Sequence, residues 1–226
     1  MKSKLAVNVF VTLNLLLFIT GKSLAQPADT QKQDYMKMLT DRSAKIINTL
    51  GLTDSVKYRE LVSIVTNQYV SVNEIQDQFK ASAKEIKAGH TNKEEADSLV
   101  NIDADKKSRK LLELHKNYIS RLSAKLSEDE VEKIKDGMTY NVLHVTYTAY
   151  LDEVQTLTQS QKEKIYNWLQ EARELAMDEG SSEDKHKVFG KYKGRINNYL
   201  STEGYDMKKE EKDWQERLRK KRESTN

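Results

Sequence analysis

The chain has 226 residues, of which 38 are basic and 35 are acidic, so that its formal net charge is +3. It contains no cysteine, which excludes a disulfide-stapled scaffold, and its stability therefore has to come from a packed core. Glycine is sparse, proline occurs once and charged residues make up 32% of the chain, a composition typical of long helices with solvated outer faces.

The first 25 residues are predicted to be a signal peptide. A basic start, MKSK, precedes the 16-residue apolar run LAVNVFVTLNLLLFIT, and GKSLA then places small residues at Ser23 and Ala25, where a signal peptidase cleaves. The alternative, an uncleaved membrane anchor, is disfavoured because a transmembrane helix needs about 20 apolar residues. We expect cleavage after Ala25 and a periplasmic or secreted protein that keeps no membrane segment.

Removal of the signal peptide lowers the net charge of the protein. Residues 1–25 contain three lysines and no acidic residue, so that 35 basic and 35 acidic residues remain and the net charge falls to 0. The basic character belongs to the leader and gives no support for a nucleic-acid partner. Residues 26–32, QPADTQK, are predicted to be a short disordered lead-in.

Two helices are predicted at the start of the mature chain. Apolar residues recur with helical spacing over about residues 31–50, and Gly51 follows as the C-cap. The same spacing continues over about residues 54–88 until Gly89.

A third helix is predicted to begin at the capping box formed by Thr91 and Glu94 and to reach about residue 125. A break near residues 101–105 is an open alternative, because IDAD is weakly helical. The second and third helices would form an antiparallel hairpin about 50 Å long.

Capping signals also predict the helices of the second half. Ser127 and Glu130 form a capping box that opens a short helix, and Thr158 and Gln161 form another. Between them, residues 138–151 carry β-branched and aromatic residues. We predict an irregular segment that leads into a helix, because a single strand would have no partner elsewhere in the chain.

Two further helices are predicted at the C-terminal end. Ser181 or Ser182 caps the first of them, and Gly204 separates it from a charged last helix with only a thin apolar seam. The expected fold is therefore all-α, a multi-helix domain with a long antiparallel helical hairpin followed by a smaller helical half. We place a single helical domain at residues 33–205 and a charged C-terminal helix or tail at residues 206–226.

No sequence signature of catalysis is present. The four histidines, His90, His115, His144 and His186, lack the spacing of a metal site, and Glu183-x-x-His186 occurs once where a di-iron bundle needs the pair twice. We expect no cofactor and no metal, and the sequence favours a protein that is not an enzyme. A pair of glycosidase carboxylates remains an open alternative, because such pairs have no fixed local spacing.

Aromatic residues are concentrated in the second half of the chain. Seven tyrosines and one tryptophan lie within the 66 residues from Tyr140 to Tyr205. Such side chains combine an apolar face with a polar tip, which suits stacking on sugar rings. The alternative is that they form the core of this half.

The stretch VFGKYKGRINNYL, residues 188–200, contains an unexplained pair of glycines. If this stretch is a helix, its apolar residues form one stripe, and Gly190 and Gly194 lie nearly opposite it. Each mid-helix glycine costs about 1 kcal/mol relative to alanine. We therefore predict a close approach of another chain segment or of a ligand at these glycines.

Three segments together resemble a known family: DGMTYNVLHVTYTAYLDEV, LTQSQKEKIYNWLQEARELAMDEGSSEDKH and VFGKYKGRINNYLSTEGYD. They are similar to an uncharacterised family of exported proteins of Bacteroidetes, domain of unknown function thirty-eight twenty-six. The likeness covers about residues 43–206 and is strongest over residues 136–206. The resemblance implies a sugar-binding or accessory protein of glycan utilisation, and it supplies no catalytic residues.

Our first functional hypothesis is a non-catalytic glycan-binding module whose partner is a carbohydrate. In this hypothesis aromatic rings stack on the sugar and polar groups bind its hydroxyls. The candidate site residues are Tyr140, His144, Tyr147, Tyr150, Trp168, Lys191, Tyr192, Arg195 and Asn197.

Two other hypotheses come from different functional classes. The first is a periplasmic interaction protein or chaperone, which binds another exported protein through an apolar groove along residues 61–86 or 111–122 of the hairpin. The second is a lyase or hydrolase acting on acidic sugars, with His144, Tyr147 and Arg195 as base, acid and carboxylate clamp.

Overall fold

The computed structural model describes residues 27–224, which form eight helices and no strand, so the predicted all-α class is confirmed. The signal peptide and its cleavage site lie outside the described residues. The helices are α1 (Pro27–Asn48), α2 (Ser55–Gly89), α3 (Lys93–Ser123), α4 (Glu128–Met138), α5 (Val142–Glu153), α6 (Gln159–Met177), α7 (Ser182–Thr202) and α8 (Met207–Glu223). Among them no helix has the length and hydrophobicity needed to cross a membrane.

The long helices α2 and α3 lie side by side and run in opposite directions. The Nζ of Lys125, two residues after the end of α3, lies 2.7 Å from Glu60 Oε2 near the start of α2. Further along, Lys107 Nζ lies 4.5 Å from the ring centroid of Phe79. Helix α3 continues through residues 101–105 without a break.

Two helix starts differ from the sequence prediction. Asn92 caps α3 instead of Thr91, because its side chain accepts hydrogen bonds from the backbone N–H groups of Glu94 and Glu95. Helix α1 begins at Pro27, a residue that suits the first turn, so residues 27–32 of the predicted lead-in are helical. The capping boxes at Ser127 and Thr158 are present as predicted.

The helices bury two adjacent hydrophobic cores. The first lies between α1, α2, α3 and α4 and includes Ile47, Leu61, Leu122 and Ile134. The second lies between α5, α6 and α7 and is built around Leu143, Ile165, Leu169, Phe189, Ile196 and Leu200. Helix α8 has no buried residue and lies against the second core.

The turn between α4 and α5 has an unusual backbone. The N–H of Asn141 donates to the carbonyl of Asp136, and the N–H of Tyr140 donates to that of Gly137, which is the hydrogen-bond pattern of a Schellman motif. Tyr140 has a φ of 58° and Asn141 a φ of 57°, in the left-handed region that costs a residue with a Cβ about 1–2 kcal/mol.

The same motif at the end of α7 has a glycine at this position. The N–H of Tyr205 donates to the carbonyl of Leu200, and Gly204 has a φ of 97°. Glycine is the usual residue in this place because it has no Cβ. A tyrosine in the α4–α5 turn is therefore held there at an energetic cost.

Candidate functional site

The predicted site residues do not form one surface, because their contacts divide them among separate places around α5, α6 and α7. Tyr140 is 43% exposed, and its ring stacks on His186 with centroids 5.9 Å apart. The exposed His144 lies beside it in sequence, with Nε2 2.9 Å from Asp136 Oδ2. Tyr147 instead packs edge-on against Tyr166 of α6.

Trp168 belongs to a cluster on the outer side of α6 and α7. The Arg195 guanidinium lies 4.4 Å from its ring centroid, and Tyr199 packs edge-on at 5.3 Å. Lys164 contributes a second cation at 5.3 Å. The indole is therefore already occupied by intramolecular contacts, which makes it a weaker sugar platform than the sequence suggested.

The other predicted residues of α7 lie next to this cluster or in solvent. Tyr192 is half-buried, and burial, followed by its interaction with Glu171, raises the pKa of its hydroxyl to about 12. Lys191 is exposed. The three residues of the lyase or hydrolase hypothesis, His144, Tyr147 and Arg195, share no contact within residues 27–224.

Tyr150 and Asn197 meet in a cleft between α5, α7 and α8. The Tyr150 hydroxyl donates a hydrogen bond of 2.7 Å to Asn197 Oδ1 and lies 3.3 Å from the Lys193 carbonyl oxygen. The cleft has a volume of about 410 Å³. It is lined by Val145, Thr146, Ala149, Tyr150, Glu153, Lys193, Asn197, Glu211 and Trp214. We call it the α5–α8 cleft.

Helix α8 forms one wall of the α5–α8 cleft and is attached to the end of α5. Trp214 Nε1 donates a hydrogen bond of 2.9 Å to Asp152 Oδ2. The Arg217 guanidinium donates to the carbonyl oxygens of Asp152 and Glu153, at 2.8 and 2.9 Å. These bonds satisfy carbonyls at the C-terminus of α5 and fix the position of the indole.

Charged groups of both signs line the α5–α8 cleft. Burial, followed by the nearby carboxylates of Glu211 and Glu210, raises the pKa of Glu153. Lys193 provides a cation on the facing helix. The cleft therefore combines an indole ring with hydroxyl, amide, ammonium and carboxylate groups, a set that can bind a polyhydroxylated ligand.

Sequence reasoning missed Trp214, Glu153 and Glu211. The sequence feature that could have indicated this cleft is Trp214, a tryptophan in a helix that has few other apolar residues. A large aromatic residue there indicates a contact with another element, but its partner lies 62 residues away in the chain and cannot be read from local spacing.

The predicted close approach of a chain segment at Gly190 and Gly194 is wrong for the described residues. No atom in this part of the chain comes within 4 Å of a Cβ built on either glycine, apart from their own helix backbone. Because each residue of a helix turns by 100°, Gly190 and Asn197 lie on the same side of α7, about 20° apart around the helix axis. The bare backbone therefore extends from the α5–α8 cleft along one side of the helix, and we call it the glycine strip.

Replacement of both strip glycines should stabilise the protein. Gly190→Ala and Gly194→Ala should each raise the free energy of unfolding by about 1 kcal/mol, because alanine is the better helix former and the space is open. Urea unfolding measures this change. Gly204→Ala is the control and should lower stability because of its φ of 97°. An unstable double variant would show that another segment contacts the strip.

A network of charged residues connects α3, α4, α5 and α6. Arg173 of α6 is 2% exposed and forms ion pairs with Glu132, Asp136 and Glu174, including a 2.7 Å contact to Asp136 Oδ1. The second oxygen of Asp136 binds His144.

The same network extends to α3. His115 lies 3.1 Å from Asp178 and 3.3 Å from Glu174, and Lys135 lies 3.2 Å from Glu174. Every carboxylate of the network has a cationic partner within the protein, which indicates a structural role. No group of residues in the described part of the chain has the arrangement of a metal site.

The structure thus defines an all-helical protein with two cores and a small polar cleft. A protein-family model described as "Protein of unknown function (DUF3826)" matches residues 36–220. The chain belongs to this family, which confirms the resemblance seen in the sequence. A comparison with curated proteins finds no match.

Proposed function

We propose that the protein is an exported, non-catalytic carbohydrate-binding protein, an accessory component of glycan utilisation, and that it binds sugar in the α5–α8 cleft. One observation carries this proposal. The cleft brings the Trp214 ring together with the Tyr150 hydroxyl, the Asn197 amide and the charged groups of Lys193 and Glu153. An aromatic face with surrounding hydrogen-bonding groups is the combination that a sugar ring requires.

The glycine strip supports a ligand longer than one sugar. Its helix backbone is open to solvent beyond the end of the α5–α8 cleft, and no side chain projects from Gly190 or Gly194. A glycan chain that enters the cleft can therefore continue along α7 in close contact with the backbone. This contact would explain why glycine occupies these two helix positions, which the packing of the fold does not explain.

The hairpin is a less suitable binding surface. Of the residues that were to form an apolar groove for a client protein, Leu61, Ile64, Leu111 and Leu122 are buried, whereas Ile75, Phe79 and Ile86 are only half-buried. A groove that included Leu61, Ile64 and Leu122 would require the first core to open.

The proposed binding is tested by a panel of oligosaccharides and by a matched pair of asparagine variants. Asn197→Ala should weaken the binding of a glycan about tenfold or more, measured by calorimetry, because it removes an amide from the cleft. Asn67→Ala changes an exposed asparagine of α2, which lines neither the cleft nor the glycine strip, and should leave the affinity unchanged. Equal affinities for the two variants, or no binding across the panel, would contradict the proposal.

A second candidate function is glycoside hydrolysis, because Glu153 and Glu211 line the same cleft and the pKa of Glu153 is raised. A protonated carboxylic acid beside a carboxylate is the arrangement of a glycosidase. Incubation with a bound glycan and measurement of new reducing ends separates the two functions. The proposed binding function predicts no product, whereas hydrolysis predicts product that Glu211→Gln abolishes.

A further inference from the structure

We propose that a second cleft, between α1 and the turn that joins α4 to α5, binds a small organic carboxylate. This site is separate from the α5–α8 cleft, and the inference does not depend on sugar binding there. The cleft has a volume of about 610 Å³. It is lined by Asp34, Lys37, Met38, Asp41, Arg42, Lys45, Ile46, Gly137 and Tyr140. We call it the α1–turn cleft.

Arg42 is the reason to expect an anion. Arg42 is half-buried as a residue and its guanidinium lies 5.6 Å from the ring centroid of Tyr69, yet it forms no ion pair within residues 27–224. A cation that is partly removed from water is costly unless an anion or hydrogen-bond acceptors compensate it. A guanidinium also has the planar fork that binds a carboxylate with two hydrogen bonds.

The remaining charges leave the α1–turn cleft with an excess of cations. Lys37 and Asp41 form an ion pair of 2.9 Å and neutralise each other. Arg42 and Lys45 then stand against the single carboxylate of Asp34. A monovalent anion completes the balance of charge.

Tyr140 and Met38 indicate that the ligand also has a ring or an apolar body. Their side chains are 43% and 46% exposed and line the same cleft. Tyr140 occupies the left-handed position that Gly204 occupies in the equivalent turn, so its backbone is strained. The Tyr140 ring stacks on His186 but belongs to neither core, so core packing does not account for a tyrosine there, and the part of the side chain that remains exposed is open to a ligand.

The test compares acids with neutral compounds of the same shape. Calorimetry is carried out with D-galacturonate against D-galactose, and with benzoate against benzyl alcohol. We expect at least one acid to bind about tenfold or more tightly than its neutral counterpart, and to bind more weakly as salt is raised. If galacturonate binds and benzoate does not, the ligand class is a sugar acid. If benzoate binds and galacturonate does not, the ligand class is an aromatic acid. Equal binding of acid and neutral compound, or no binding of either acid, overturns the proposal.

Three variants connect the binding to the cleft. Arg42→Gln should weaken binding of the acid about tenfold or more, whereas Lys37→Gln combined with Asp41→Asn should have little effect because this pair of changes removes an ion pair with no net charge. Tyr140→Gly should also weaken binding while the melting temperature stays the same or rises, since glycine relieves the strained φ. A folded Tyr140→Gly or Arg42→Gln protein that binds the acid as tightly as the parent would contradict the proposed site.

Discussion

Arg173→Met should lower the free energy of unfolding by about 3–5 kcal/mol, the largest loss that we expect from a single substitution in this protein. Arg173 is 2% exposed and contacts Glu132, Asp136 and Glu174. Methionine keeps much of the side-chain volume but removes the charge. Each of the three carboxylates would then lose one partner, and Asp136, the least exposed of them, would keep only its contact with the exposed His144.

The electrostatic coupling within this network is visible in its pKa values. Burial favours the neutral form of Glu174, but the hydrogen bond from His115 and the charges of Lys135 and Arg173 outweigh it and lower its pKa to about 2. Burial likewise opposes the charge of Arg173, and the hydrogen bonds to Asp136 and Glu132 outweigh it and raise its pKa.

Urea unfolding measures the effect, and two further variants control for it. Arg195→Met removes an exposed arginine whose contact with Glu171 is 3.4 Å long, and it should cost about 1 kcal/mol or less. Arg173→Met combined with Asp136→Asn should recover part of the loss, because one uncompensated carboxylate is gone. A loss in Arg173→Met no greater than in Arg195→Met would show that the network contributes little.

The contribution of His115 to the stability of the protein should fall as the pH rises from about 6.5 to 9. Hydrogen bonds to Asp178 and Glu174 raise the pKa of His115 from 6.5 to about 9, although burial opposes this shift. A raised pKa means that the folded state binds the proton more tightly than the unfolded state. The resulting stability is complete below pH 6.5, is lost by about pH 9, and amounts to at most about 3 kcal/mol.

Lys185 has the opposite dependence at higher pH. Burial lowers its pKa to about 8, and its Nζ donates to the carbonyl oxygens of Ala176 and Met177. The folded state therefore releases this proton first, and stability rises between pH 8 and 10.5. The effect of His115 on stability can consequently be measured without the opposing effect of Lys185 between pH 6.5 and 8.

Chemical unfolding at several pH values tests this dependence. His115→Gln should lose stability at pH 6 and should flatten the slope between pH 6.5 and 8. His90→Gln is the matched control, because the His90 ring contacts the Ile86 carbonyl and no carboxylate within the described residues. An unchanged slope in His115→Gln would contradict the assignment.

The helices were predictable because their signals are local. Ser127 and Thr158 each form a capping box with a residue three positions later, so the sequence alone contains the whole interaction. The turn at Tyr140 was predicted only as irregular. Nothing in the sequence distinguishes a tyrosine in the left-handed region from one in a helix, since tertiary packing imposes that conformation.

The site was harder to predict because its contacts are distant in sequence. Tyr150 and Asn197 were named as candidates, yet Trp214, which lines the same cleft, comes from a helix that the sequence presented as a charged tail. Trp168 was named as a candidate because of its position in an aromatic-rich stretch, with a place in the core as the alternative, and the Arg195 guanidinium lies against its ring. Aromatic density along the chain therefore pointed to the half of the protein that contains the α5–α8 cleft, without separating the cleft from the Trp168 cluster.

The most direct test of the proposed sugar-binding site uses the two tryptophans as separate reporters. Trp168→Phe leaves Trp214 in the α5–α8 cleft, and Trp214→Phe leaves Trp168 in its cluster on α6 and α7. Each protein is titrated with the glycan that binds in calorimetry, and tryptophan emission is recorded. We predict a saturable change in the protein that retains Trp214 and none in the protein that retains Trp168. A change reported by Trp168 alone, or by neither tryptophan, would contradict binding in the α5–α8 cleft.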